Sequence, residues 1–226
     1  MLLALERSGP VASAALFAAD GSSCVASLEA PGAGGGDAHP LVRDLLARAG
    51  VSPADLTAFT VGVGPGSFSG IRSALALAQG LALPAGLPVR GVCSPAAVLF
   101  RRRREDPGAP RARVLGDARR DHVWCIDEPD DFRALSHTAA DAKLYSKSGS
   151  DPALPPAAEL FADGRDLLCA DPARLALLFA AHGIAAPAPA LATAADVAAL
   201  YFAGSSGPAA PVYLHPAVVG PVPSSV

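Results

Sequence analysis

The stretch Phe59-Thr60-Val61-Gly62-Val63-Gly64-Pro65-Gly66-Ser67-Phe68-Ser69-Gly70-Ile71-Arg72-Ser73-Ala74-Leu75 decides the fold. Phe59 to Val63 is a short apolar run bounded by a glycine loop, the pattern of a buried strand. After the loop, apolar residues recur at helical spacing from about Ile71 to Leu83, where Pro84 stops the helix. Val89 to Val92 supplies the next strand. Strand, loop, helix and strand in that order make a β-α-β unit with a parallel, buried sheet.

A glycine loop before a helix can cradle an anion on its free N–H groups. Here Ser69-Gly70-Ile71-Arg72 stands where a P-loop needs lysine, and the G-x-G-x-x-G spacing is absent. The loop Gly64, Pro65, Gly66, Ser67, Phe68, Ser69, Gly70 therefore reads as a tight turn that brings the helix close to its strand, capped by Ser67 or Ser69. The helix carries more information. At about 100° per residue, Ile71, Leu75, Ala78 and Ala82 share one face, while Ser69, Ser73, Ala76 and Gly80 form a small-residue stripe opposite. Arg72 is its only charge. Such a helix is either covered on both sides within its own lobe or presents a flat surface to another helix.

Working outward, the first 28 residues read as an antiparallel meander of Leu2 to Leu5, Val11 to Phe17 and Cys24 to Leu28, with Asp20-Gly21 at a turn. A Gly-rich loop, Pro31 to Gly36, precedes a helix with Pro40 in its first turn. Leu41, Val42, Leu45, Leu46 and Ala49 lie on its apolar side, and Gly50 ends it. Downstream, Arg101 to Arg113 reads as an Arg-rich linker between two lobes. The second half suggests strands at Val114 to Leu115, His122 to Ile126 and Leu167 to Ala170, a polar loop from Glu128 to Ser150, and helices at Pro172 to His182 and Ala194 to Phe202. No internal repeat is visible.

The 226 residues carry 18 Lys and Arg against 21 Asp and Glu, a formal charge of −3, which argues against a generic polyanion binder. Hydrophobic residues at 51% exclude wholesale disorder, and 22 Gly with 22 Pro imply many turns. Every apolar stretch is broken before the ~18 residues a membrane span needs. Met1 to Arg7 lacks a basic, signal-like start, so a cytoplasmic protein without membrane partners is expected. Cys24, Cys93, Cys125 and Cys169 are too scattered for a disulfide or zinc framework and read as buried reduced thiols. Ser, His and Asp are too dispersed to argue a hydrolytic triad, and His39, with Arg43 four positions on, forms no metal pair.

The run Val61 to Arg72 with Ala78-Gln79-Gly80-Leu81-Ala82, the segment Asp117 to Trp124, and Pro211-Val212-Tyr213-Leu214 together resemble the TsaB (YeaZ) family of bacterial proteins. The likeness is strongest from about residue 38 to 100. It implies an α/β, two-lobed actin/sugar-kinase-like fold, with mixed sheets flanked by helices: an N-terminal lobe over 1–100, the linker over 101–113 and a smaller, divergent lobe over 114–226. It also implies a non-catalytic, cofactor-free subunit of the machinery that makes threonylcarbamoyladenosine on tRNA. That subunit pairs with a catalytic paralogue, TsaD, through first-lobe helices; an ATPase, TsaE, joins them, and tRNA is met indirectly. The partner surface so implied comprises Ser69, Arg72, Ser73, Ala76 and Gly80, with Val42 and Leu46 of the preceding helix. Self-association of the isolated chain through the same face is the alternative pairing.

Two departures bear on chemistry. Family members usually place Asp followed by Thr or Ser after the first strand, whereas this chain has Glu6-Arg7-Ser8, so a kinase-type phosphate or metal site is not expected there. The catalytic paralogue carries metal-binding histidines after the strand equivalent to Val89 to Val92; here stands Cys93-Ser94-Pro95-Ala96-Ala97-Val98, which lacks ligands at metal spacing. The alternative function, an ATP-dependent sugar-kinase-like enzyme, would require a second phosphate loop and an adenosine motif in the C-terminal lobe, and neither is found. Arg101 to Arg104, Arg111, Arg113, Arg119 and Arg120 put eight arginines in twenty positions, a run that could meet tRNA phosphates or simply be solvated.

Overall fold

The computed structural model describes residues 1–31 and 38–214. Residues 32–36 of the expected Gly-rich loop lie outside the described residues. The meander is present as β1 (Leu2–Glu6), β2 (Val11–Phe17) and β3 (Cys24–Pro31), followed by α1 (His39–Ala49), β4 (Ala58–Gly62), α2 (Phe68–Ala82) and β5 (Val89–Val92). β1 pairs antiparallel with β2 and parallel with β4, which pairs parallel with β5. The sheet order is β3-β2-β1-β4-β5.

Alternation along β1 sets the layers. Leu3 and Leu5 enter the core beneath α1 and α2, with Phe59, Val61, Leu45, Ile71 and Leu75. Leu2 and Ala4 face the other way, against Ala194 and Ala198. Those alanines belong to the last helix, α5 (Ala194–Phe202), whose capping box, Thr193 with Asp196, starts it at the position its sequence predicts. α5 thus returns from the C-terminal half to cover the first sheet.

After β5 the chain enters α3 (Ser94–Glu105), β6 (Ala112–Arg119), β7 (His122–Asp127), β8 (Lys143–Ser146), β9 (Asp166–Cys169), a short α4 (Ala176–Ala181) and α5. The second sheet runs β8-β7-β6-β9, with β6 antiparallel to β7 and parallel to β9, and β7 antiparallel to β8. This is the first sheet's order and strand sense again, a meander followed by a parallel strand on its first member. The repeat that the sequence hides is therefore topological. Two such sheets flanked by helices make the actin/sugar-kinase-like architecture. α3 and α5 lie between the lobes, packing Leu99, Val197 and Leu200 against Val114, Trp124 and Ile126 of the second sheet.

Several expectations are corrected. The stretch read as a linker begins as helix: Arg101 to Glu105 complete α3, and β6 starts at Ala112. Pro95 in the first turn and buried Ala96, Ala97, Val98 and Leu99 build that helix, whose apolar run is too continuous to show a period. The polar loop contains β8, a four-residue edge strand. The helix expected from Pro172 is reduced to Ala176–Ala181, because a turn closed by Arg174 N–H to the Asp171 carbonyl precedes it. Cys24 is exposed; the other three cysteines are buried, and all four are free. Burial pushes the thiols of Cys93 and Cys125 up to about 12, so neither is a nucleophile near neutrality.

Candidate functional site

α2 shows both faces read from its sequence. Gly70, Ile71, Ala74, Leu75, Ala78 and Ala82 are buried, and Ser67 caps the helix by accepting from the Gly70 N–H. On the opposite side Ser69, Ala76 and Gly80 are exposed and Ser73 is half-buried. A Cβ added at Gly80 would meet nothing. The stripe is therefore an open surface, not an internal contact.

The turn before α2 owes its glycines to backbone approach. A Cβ at Gly70 would lie 2.2 Å from the Arg7 carbonyl oxygen, and one at Gly66 2.3 Å from that of Ser8. The Ser67 N–H donates to the Ser8 carbonyl at 2.7 Å. Gly64 and Pro65 are buried at the β4 end, and Phe68 is 58% exposed. The motif thus clamps the β1–β2 turn against the start of α2. Arg7, buried in that turn, donates from Nη1 to Ser73 Oγ at 3.0 Å, joining the turn to the stripe.

The α1 residues read with the stripe sit elsewhere. Val42 and Leu46 are 3% and 7% exposed and belong to the core. They floor a small apolar groove of about 260 Å³, walled by His39, Pro53, Leu77 and Leu81. Leu77 and Leu81, one helical turn apart, went unread as part of this face, although their i, i+4 spacing beside Ser73 signals it.

A larger cleft of about 1390 Å³ opens between the lobes. The β1–β2 turn, the start of α2, the β6–β7 turn and the segment around Asp171 line it. Asp117 is held there by Lys147 at 2.6 Å, and Asp171 by Arg174 at 2.5 Å. Burial, aided by the Asp117 charge, pushes the Asp171 carboxyl above its usual range. Next to the cleft floor, Glu6 is fully buried. One of its oxygens accepts from the Ser8 N–H; the other has no hydrogen-bond partner and lies where a Gly62 side chain would begin. Burial raises the Glu6 pKa, the reverse of what a phosphate- or metal-activating carboxylate needs. After β5, the Cys93 N–H donates to His137 Nδ1 at 2.9 Å, and His137 Nε2 contacts Ser205 Oγ at 2.8 Å. That histidine is a buried tie between segments.

Residues 37–198 match the family of TsaD, tRNA N6-adenosine threonylcarbamoyltransferase. The chain belongs to the TsaD family. Within it, the chain is TsaB/YeaZ-like. It is 38% identical over 98 residues to the tRNA threonylcarbamoyladenosine biosynthesis protein TsaB of Escherichia coli, a match that covers 43% of this chain and 42% of that protein. An uncharacterised protein of Mycobacterium tuberculosis is 34% identical over 181 residues, 78% of this chain and 72% of its own. The YeaZ structure from Pseudomonas aeruginosa superposes with a TM-score of 0.63 at 29% identity, covering 93% of this chain and 99% of that one. The match thus spans less than half of the E. coli relative. The TsaB-like resemblance read from Val61 to Arg72 falls on β4, the clamp turn and α2, the elements that build the open stripe.

From Arg101 to Arg113, most of the arginine run is spent within the fold. Arg101 pairs with Asp196 at 2.6 Å, Arg103 with Glu128 at 2.6 Å, Arg102 with Asp166 and Arg111 with Asp130. Arg113, 5% exposed in its side chain, joins Asp127 and Asp163 and donates to the Leu160 carbonyl. Arg104 lies over the Phe100 ring. What reads as a solvated basic stretch is a set of clamps between α3, β6 and the C-terminal half.

Proposed function

We propose that this chain is a non-catalytic subunit of a tRNA threonylcarbamoyladenosine-forming complex, and that it acts by binding a TsaD-type catalytic paralogue. The observation that carries this reading is the open stripe of Ser69, Ser73, Ala76 and Gly80 on a helix whose other face is buried. Small side chains let a partner helix approach closely, and Leu77, Leu81 and the groove above Val42 and Leu46 supply apolar area beside the stripe. Arg72 borders it. The two places where this chain departs from its catalytic relatives carry structural duties, Glu6 as a buried carboxyl and Cys93 as the donor to the buried His137 tie, in keeping with a supporting role. A TsaE-type ATPase completes the complex, in the cytoplasm, and the isolated chain self-associates through the same face when its partner is missing. Partner binding supports catalysis by favouring the paralogue's competent conformation, which requires tighter binding to that state.

Co-expression with the host's TsaD-type paralogue tests this. Wild-type chain co-purifies as a heterodimer. Gly80→Arg and Ala76→Arg abolish pairing, seen by analytical ultracentrifugation, while their circular dichroism and melting stay those of wild type. In a reconstituted assay, tRNA modification vanishes with pairing. A Gly80→Arg chain that pairs normally overturns the reading.

A further inference from the structure

We infer that the mouth of the interlobe cleft is a binding platform for unpaired RNA, taking a splayed base on Phe68 and Tyr213 and its flanking phosphates on Arg72 and Arg120. It rests on the reading of the chain as part of a tRNA-modifying assembly and adds a direct RNA contact to it.

The aromatic part is unusual for this surface. Phe68 is 58% and Tyr213 48% exposed, and their rings stand 5.6 Å apart with 39° between planes. The two come from distant parts of the chain, the first residue of α2 and the segment after α5. Exposed rings held together in this way present a face on which a base stacks without regard to its identity. The Arg72 guanidinium already sits 5.0 Å over the Phe68 ring, leaving its N–H groups free for a phosphate.

The cationic part comes from the opposite lobe. Arg119, Arg120 and Asp121 have φ values of 64°, 48° and 65°, three consecutive non-glycine residues in the left-handed region. Each carries a steric cost there, because its Cβ crowds the neighbouring carbonyl. The β7–β8 loop holds the turn: the Asp121 carboxylate accepts from the Ser148 N–H and hydroxyl and from the Ser150 hydroxyl, and the Asp121 carbonyl accepts from the Lys147 N–H. This geometry sets Arg119 and Arg120 on the cleft wall, both exposed. Arg119 leans on Asp117 at 3.6 Å, whereas neither Arg120 nor Arg72 forms an ion pair among the described residues. Five arginines, Arg7, Arg72, Arg119, Arg120 and Arg174, line the cleft against Asp117 and Asp171, in a chain whose formal charge is −3. The cleft lining is thus net positive, whereas most of the run from Arg101 to Arg113 is paired with carboxylates. The platform adjoins the partner face at Ser69 and Arg72, whereas Gly80 stands twelve residues, roughly 18 Å, along α2 from Phe68 and outside the cleft lining, so a change there reaches the partner face alone.

The test uses fluorescence anisotropy of the full chain with two labelled RNAs: a hairpin with a seven-nucleotide loop and a blunt duplex of the same length. The hairpin binds at least tenfold tighter than the duplex. Phe68→Ala and Tyr213→Ala each weaken hairpin binding by about tenfold with an unchanged salt slope, since stacking releases no counterions. Arg120→Ser lowers affinity and flattens the log–log salt slope by about 0.7, the value of one single-strand phosphate. Arg90→Ser, the same charge change at an exposed site away from the cleft, leaves both unchanged. Melting curves confirm that each variant is folded. Equal binding of hairpin and duplex, wild-type affinity in Phe68→Ala and Arg120→Ser, or binding of ATP without hairpin binding overturns the inference. Gly80→Arg separates the two readings: it binds the hairpin normally while failing to pair, so loss of the platform and loss of the partner face are distinguished.

Discussion

The two sheets share one strand order and both bury apolar residues on two faces, yet only the second adds a charge network to that packing. The first is covered on both faces by helices and packs Leu2, Leu3, Leu5, Leu16, Phe59 and Leu45 with almost no charge inside, Glu6 and the adjoining Arg7 excepted. The second is fastened at one end by Arg113, Asp127, Asp163, Lys143 and Arg165, and by Arg103 with Glu128. A topology can thus be kept by apolar burial alone or by apolar burial fastened with a charge network. The two fail differently: a packing defect costs in proportion to the volume lost, whereas a broken network leaves a buried charge uncompensated.

That contrast is sharpest at Arg113. Removing it in Arg113→Ala leaves the Leu160 carbonyl and part of the Asp127 and Asp163 charge unanswered, so urea denaturation is expected to show a loss of about 3–5 kcal/mol. A loss below ~1 kcal/mol would mean that the second sheet is held by packing after all. In the first lobe the comparable break is steric. Gly70→Ala drives a Cβ into the Arg7 carbonyl and is expected to cost about 1–3 kcal/mol, while Gly80→Ala, in the same helix but in open space, stabilises by up to ~1 kcal/mol. Equal melting temperatures for these two variants would refute the clamp.

Glu6 tests the exception. Its folded pKa is raised by burial, so its contribution is fully present below the unfolded value near 4.5 and is lost as pH rises towards the folded value. Glu6→Gln removes that dependence. The variant therefore gains on wild type as pH increases from 4 to 7, a trend read from urea midpoints at several pH values; a constant difference would place the Glu6 charge in water. The smallest effect belongs to Arg102→Ser, whose partner Asp166 is about half exposed, and a change within about 1 kcal/mol is expected by the same measurement.

Periodicity carried the sequence reading where an element has one wet and one dry side. β1, β2, α1, α2 and α5 were legible, because alternation of two and recurrence at three to four residues are written locally. The apolar and small-residue faces of α2 were readable for that reason, whereas the exposure of the small-residue stripe was decided by the fold. α3 was not, since six consecutive apolar residues followed by arginines show no period, and β8 was not, since four residues at a sheet edge carry too little pattern. The partners of the arginines were invisible in principle. Asp196 lies 95 residues from Arg101, and Asp166 lies 64 from Arg102.

The sequence by itself determined the β-α-β unit, the tight glycine turn before α2 and the small-residue face of that helix, because each is written in the pattern of one continuous stretch from Phe59 to Val92; that the turn also clamps Arg7 and Ser8, some sixty positions away, was decided only by the fold. Only the tertiary structure decided which charges are free. It paired Arg101, Arg102, Arg103, Arg111 and Arg113 of the conspicuous run with carboxylates from the C-terminal half and left Arg72 and Arg120 facing a shared cleft. It also carried α5 back onto the first sheet and set Tyr213 beside Phe68. Ion pairing and ring contact act over a few ångströms of space, and only the folded chain brings residues more than a hundred positions apart within that distance.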